Sequence, residues 1–314
     1  MNGSAAFGLP ARAKLNLGLR IVGRRRDGYH LLDTVFHTLE LADDLTVALM
    51  PDARDDVLRV TAADPALAVP AGPDNLVLKA LRAFAVASGY RGAFAAFLHK
   101  RIPHGGGLGG GSSDAAAALR LANHALGEPL THAALAAVAV RLGADVPFFL
   151  RGGSQRGQGI GDELTPWPVP ARAFVLVVPP FGCSTIDVYN SFAAQWKCHE
   201  EADTVHAIPV PDTTDALLRN GFRNDLQPAA ERVAPALARL RAQVELRQRR
   251  EVAMTGSGST LFVPCADDGD ARQCIDELAP LRSESVRLLA TRSAGLGVDA
   301  PRPADGASGR WRQS

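Results

Sequence analysis

Residues 12–22, RAKLNLGLRIV, alternate apolar and polar side chains, the period-two signature of a strand that turns one face to a core. The pattern stops at Gly23 and the polar turn RRRDG. Residues 45–49 and 94–99 repeat the strand signature, while 75–86 and 133–142 carry apolar residues at helical spacing. A buried strand is expected over 174–178, closed by the Pro179–Pro180 pair; helices follow near 228–246 and a strand at 260–264. Prolines cluster around Trp167–Pro170 after a polar, glycine-rich stretch, so the chain is expected to divide there, into a domain of residues 1–166 and another of 167–299. The segment 300–314, APRPADGASGRWRQS, has few apolar anchors and reads as a disordered tail.

The strand at 94–99 leads into HGGGLGGGSSDAAAALRLANHAL. Six glycines around Leu108 let backbone N–H groups converge without interference from Cβ atoms. Ser112 or Ser113 reads as the N-cap of a helix starting near Asp114, and the free N–H groups of that helix would add to an anion site. A Walker A loop requires Lys before Ser or Thr, but Gly111 is followed by Ser112 and Ser113. A dinucleotide fingerprint fits only in part, because the loop does not open a βαβ unit. A flexible linker would have no reason to join a strand to a capped helix.

The 34 Lys and Arg balance 33 Asp and Glu, so no net field draws the chain to nucleic acid or an anionic membrane, and attraction for phosphate must be local. The lysines are few, Lys14, Lys79, Lys100 and Lys197. Cys183, Cys198, Cys265 and Cys274 lack the spacings of a zinc site or a disulfide framework, which suggests reduced thiols in the cytoplasm. Neither a signal peptide nor an apolar run of membrane-spanning length is legible.

PHGGGLGGGSSDAA resembles the second motif of the GHMP kinases, and MTGSGSTLFV at 254–263 resembles their third. ARAKLNLGLRIVGRRRDGYHLLDTVF at 11–36 and LGADVPFFLRGG at 142–153 resemble the opening signature and catalytic segment of one branch. Members of that branch phosphorylate an alcohol joined to cytidine diphosphate. The resemblance implies an α+β GHMP kinase fold, with an N-terminal domain like domain 2 of ribosomal protein S5, a ferredoxin-like C-terminal domain, and an active site between them. It also implies ATP with Mg²⁺, a small-molecule substrate carrying a cytidine diphosphate group, no nucleic-acid or membrane partner, and a cytoplasmic monomer or homodimer.

Residue by residue, the resemblance makes Lys14 and Asp145 catalytic, with Asp145 as general base. It assigns Asn16, Tyr29 and His30 to a cytidine pocket, and Tyr189 in STIDVY to its second aromatic face. It puts Asn75 and Lys100 near adenine and makes Pro103, His104, Gly105, Gly106, Gly107, Leu108, Gly109, Gly110, Gly111, Ser112 and Ser113 the phosphate loop. Thr255 to Gly258 should approach that loop from the second domain. No carboxylate cluster names ligands for Mg²⁺. Each assignment has a plainer counterpart: an aspartate capping a helix, a solvated lysine beside a strand, tyrosines packed in a core. Two departures from the pattern, Asp162 after Gly161 and the Phe181 and Cys183 of PPFGCST, concern pocket detail. A GHMP kinase for homoserine or mevalonate would keep the glycine loop but leave DGYH a mere turn. A nucleotide-binding regulator without catalysis would have no use for both Lys14 and Asp145.

Overall fold

The structure, a computed structural model, describes residues 5–195, 213–214, 216–217, 221–295 and 297–304. Two long antiparallel strands, β1 (Ala6–Arg24) and β2 (His30–Met50), form its spine. Gly28, at φ +93°, closes the turn between them. β2 pairs along its first half with the hairpin β5 (Ser154–Gln158) and β6 (Glu163–Pro166), and along its second half with β4 (Ala93–Lys100). β3 (Val57–Ala62) lies parallel to β4 at the edge. Helices α1 (Leu76–Ser88), α2 (Gly110–Ala125), α3 (His132–Leu142) and α4 (Val146–Arg151) bury Leu81, Phe84, Leu119, Val138 and Phe148 against one face of this sheet.

A second sheet, in the order β10 (Arg287–Arg292), β7 (Ala173–Val178), β9 (Leu261–Cys265), β8 (Ala253–Met254), packs on the opposite face. Ala13, Leu15 and Leu17 of β1 meet Phe174, Leu176 and Phe262 there. This double cover explains why β1 is buried continuously from Ala13 to Leu19, where a one-faced strand would alternate. β7 is likewise buried throughout: Phe174 and Leu176 face the first sheet, and Val175 and Val177 face helices α6 (Gln227–Val233), α7 (Pro235–Gln248) and α8 (Asp268–Leu278). One further helix, α5 (Thr185–Ala193), follows the Pro179–Pro180 turn. Among the described residues no helix is long and apolar enough to cross a membrane.

The helices expected near 228–246 are α6 and α7, separated at Ala234–Pro235, where Pro235 can begin a helix but cannot continue one. One expectation changes. The segment 300–314 begins in order rather than disorder, since β11 (Arg302–Pro303) pairs with Phe7 and Gly8; just before it, Asp299 accepts hydrogen bonds from both Nε and Nη2 of Arg12 at 2.6 and 3.0 Å. Lys197, Cys198 and residues 305–314 lie outside the described residues.

Candidate active site

β1 carries the site in the stretch between two irregularities of its pairing, at Arg12/Lys14 and Asn16/Gly18, where Lys14 to Asn16 pair in register with Thr38 to Phe36 and Lys14 and Asn16 alternate with Ala13, Leu15 and Leu17 of the core between the sheets. Its outer edge is covered in turn by β11, by the glycine loop and by the segment 223–225. Lys14 N–H donates to Leu108 O at 3.0 Å; Leu19 N–H donates to Arg223 O, and Asp225 N–H to Leu19 O.

The glycine loop enters α2 without a side-chain cap. Gly109 takes the left-handed conformation at φ +72°, and α2 starts at Gly110 rather than after Ser113. The corrected cap has a chemical consequence: Ser113 N–H is the first to bond back, to Gly109 O, so the N–H groups of the first turn stay available to an anion. Gly107, at φ +78°, passes so close to the second sheet that a Cβ would stand 2.2 Å from Thr255 O. Thr255 joins three segments, since its Oγ1 accepts from Asn16 N–H at 3.0 Å and donates to Gly107 O at 3.3 Å.

Lys14 is buried, and its Nζ donates to Asn16 Oδ1 at 2.5 Å and lies 3.6 Å from Asp145 Oδ2. Burial lowers the Lys14 pKa, with Asp145 opposing. Asp145 stands at the N-cap position of α4 but makes no cap hydrogen bond, so its carboxylate is left to face Lys14. The helix-capping alternative therefore fails. Both groups line a cavity of about 720 Å³ together with Asn16, Tyr29, His30, Tyr189, Gly105, Gly107, Gly109 and Ser112. His30 and Tyr189 face each other with ring centroids 5.2 Å apart, and Tyr29 stands at the rim, 62% exposed. Burial and the charge of Arg24 lower the His30 pKa, favouring the neutral ring, while burial and Asp145 raise that of the Tyr189 phenol. A second cavity, of about 770 Å³, abuts the other side of the loop, lined by Pro103, His104, Gly105 and Gly106 with Ala66 and Leu67.

Other expected residues have different work. Lys100 is buried under the loop and ion-paired to Asp43 and to Asp114, the latter at 2.7 Å, so it cannot reach a base. Burial opposes its charge, but Asp114 and Asp43 outweigh it and raise its pKa; burial with Asp43 pushes Asp114 up to about 7 against the pull of Lys100. The amide of Asn75 is spent on local structure, accepting from Val77 N–H at 2.9 Å and donating to Pro70 O at 2.8 Å. Asn16 is similarly committed, to Lys14 and, through Nδ2, to Thr34 at 2.8 Å, so it orients the lysine instead of reading a base edge. Leu108 is a buried anchor in the core between the sheets, and Ser113 is buried, whereas Ser112 faces the cavity. Gly110 and Gly111 belong to the first turn of α2.

Asn224 escaped the sequence reading. Buried in GFRNDL, it donates from Nδ2 to Met254 O and Gly256 O, both at 2.8 Å, and accepts from Leu226 N–H. Asp225 beside it accepts from Ile21 N–H and pairs with Arg20. The segment thus staples β1 to the TGSG loop. The only signal in the sequence is an amide and an acid side by side, after Arg223 and before Leu226. Among the described residues no group of three His, Cys, Asp or Glu could hold a metal ion.

Residues 75–153 match the family model of the GHMP kinases N terminal domain, and 211–281 that of the GHMP kinases C terminal. A protein of Ralstonia pickettii (strain 12J) named 4-diphosphocytidyl-2-C-methyl-D-erythritol kinase is 41% identical over 271 residues, covering 86% of this chain and 89% of its own. One of the same name from Halorhodospira halophila is 37% identical, covering 90% and 93%. A crystal structure of 4-(cytidine 5'-diphospho)-2C-methyl-D-erythritol kinase superposes with a TM-score of 0.72 at 35% identity, over 92% of this chain and all of that one. A homoserine kinase from Cytophaga hutchinsonii, 15% identical with a TM-score of 0.68, shares the fold alone.

Proposed function

The chain belongs to the 4-diphosphocytidyl-2-C-methyl-D-erythritol kinase family of GHMP kinases, and from that premise we propose that it transfers the γ-phosphoryl group of ATP to the 2-hydroxyl of 4-diphosphocytidyl-2-C-methyl-D-erythritol, releasing ADP. The observation that carries the proposal is the Lys14–Asp145 pair, 3.6 Å apart, beside the uncapped start of α2 in a cavity that also holds His30 and Tyr189.

Phosphoryl transfer to an alcohol asks for positioning, charge neutralisation and removal of one proton. The loop N–H groups and the α2 N-terminus hold the triphosphate, and the nucleoside end of ATP extends into the cavity beyond Pro103 and His104. The acceptor enters from the other side, its cytosine against Tyr189, His30 and Tyr29. Asp145 takes the hydroxyl proton as the oxygen attacks the γ-phosphorus and the bond to ADP breaks. Lys14 balances the charge that gathers between alkoxide and phosphate, and Asn16 holds its ammonium in place. Mg²⁺ fits a site with few fixed protein ligands, since it keeps several waters and phosphate oxygens. Ser112 Oγ, in the first turn of α2 and on the cavity wall, would be the protein oxygen to hold it, and when bound it would neutralise the triphosphate.

An assay coupled to ADP release, run with the cytidyl compound, homoserine, mevalonate and free methylerythritol phosphate, tests this reading. Turnover is expected with the cytidyl compound. Activity on homoserine or mevalonate without it would overturn the proposal.

A further inference from the structure

Among the described residues two arginine and lysine side chains line the central cavity, Lys14 and Arg24. They differ in what they already hold. Lys14 is committed to Asp145 and Asn16 at the transfer end, whereas Arg24 forms no ion pair among the described residues. Other arginines nearby are neutralised: Arg25 pairs with Asp27 at 2.6 Å, Arg20 with Asp225 at 3.3 Å and Arg156 with Asp33 at 2.7 Å.

Arg24 is also held in place. Its Nε donates to Gly28 O at 3.2 Å across the turn that Gly28 closes, which ties the guanidinium to that turn while its two Nη groups meet no acceptor among the described residues. Its charge depresses the pKa of His30, so it stands close to the aromatic end of the cavity. An acceptor with its base at that end and its reacting hydroxyl at Lys14 must carry its diphosphate along the wall between them. That diphosphate brings negative charge which Lys14, already paired, does not balance.

We propose that Arg24 is a specificity-determining residue that binds the diphosphate bridge of the acceptor through its free Nη groups. The inference rests on the proposed cytidine diphosphate acceptor and adds to it the group that tells a diphosphate from a bare nucleoside. A planar guanidinium suits two phosphate oxygens at once, which an ammonium at the same place would not.

Calorimetric titration of the full-length protein with cytidine and with CDP tests it. The wild type is expected to bind CDP roughly tenfold more tightly than cytidine, a modest factor because Arg24 is exposed to solvent. Arg24→Gln should bring the two affinities together, with cytidine binding unchanged. Arg26→Gln, in the same turn but outside the cavity lining, should keep the wild-type ratio. A CDP preference that survives in Arg24→Gln, is lost equally in Arg26→Gln, or is absent from the wild type would overturn the role of Arg24. Failure of the wild type to bind either ligand would instead remove the cytidine reading on which it rests.

Discussion

Gly105 and Gly107 provide a matched pair for testing how the loop works. Both are left-handed, at φ +70° and +78°, so alanine at either costs about 1–2 kcal/mol of backbone strain. Around Gly105 nothing lies within 4 Å of the added carbon. At Gly107 it would stand 2.2 Å from Thr255 O and 3.1 Å from the carbonyl carbon, both backbone atoms of the buried residue that follows β8. The strand end must then move by about 1 Å, and such overpacking adds about 1–3 kcal/mol. Because about 1.4 kcal/mol is a factor of ten, Gly105→Ala should weaken ATP by about five- to thirtyfold and Gly107→Ala by about thirtyfold to a few thousandfold. Titration with a non-hydrolysable ATP analogue measures both, cytidine titration serves as the control for the acceptor side, and thermal melts report folding. Equal losses at the two positions would show that the contact with Thr255 is irrelevant. Wild-type ATP affinity in a folded Gly107→Ala protein would show that the loop is not the phosphate cradle.

Asp145→Asn keeps the shape but cannot accept the proton, so turnover should fall roughly a hundredfold or more with ATP affinity spared; near-normal turnover in steady-state assays would remove Asp145 from the mechanism. Asn224→Ala leaves Met254 O and Gly256 O without their shared donor, and turnover should drop roughly tenfold while cytidine titration changes little; an unchanged rate would refute the stapling role. His37 bridges Ser154 and Ser293 at 2.7 Å each, and burial pushes its pKa from 6.5 down to about 4. The neutral ring is the one the fold accepts, so its contribution is complete above pH 6.5 and is lost as pH falls from 6.5 toward 4, by up to about 3 kcal/mol. Urea unfolding across that window should show the slope, and His37→Gln should flatten it.

What the sequence determined by itself was local chemistry. Glycines around Leu108 specify a loop that needs left-handed backbone, and α1 announces itself by its apolar spacing, while the capping work of Asn75 showed only in the structure. Lys14 and Asp145 were legible only through resemblance, because nothing in either neighbourhood shows that the two will meet. Tertiary structure decided the rest. The alternation rule identified 12–22 and 45–49 but missed the first half of β2, where Asp33, Thr34, His37 and Thr38 are buried beside Val35, Phe36 and Leu39 and no period of two appears in the sequence. Lys100 lies next to the loop in sequence and was assigned to the nucleotide, yet packing closes it over with Asp43 and Asp114. Asn224 carried no signal because its partners are backbone carbonyls of a loop distant in the chain, and carbonyls are the same in every sequence. A side chain's type is written locally; its partner is fixed only when distant segments pack, and here that packing puts Lys14 on the cavity wall and closes Lys100 away from it.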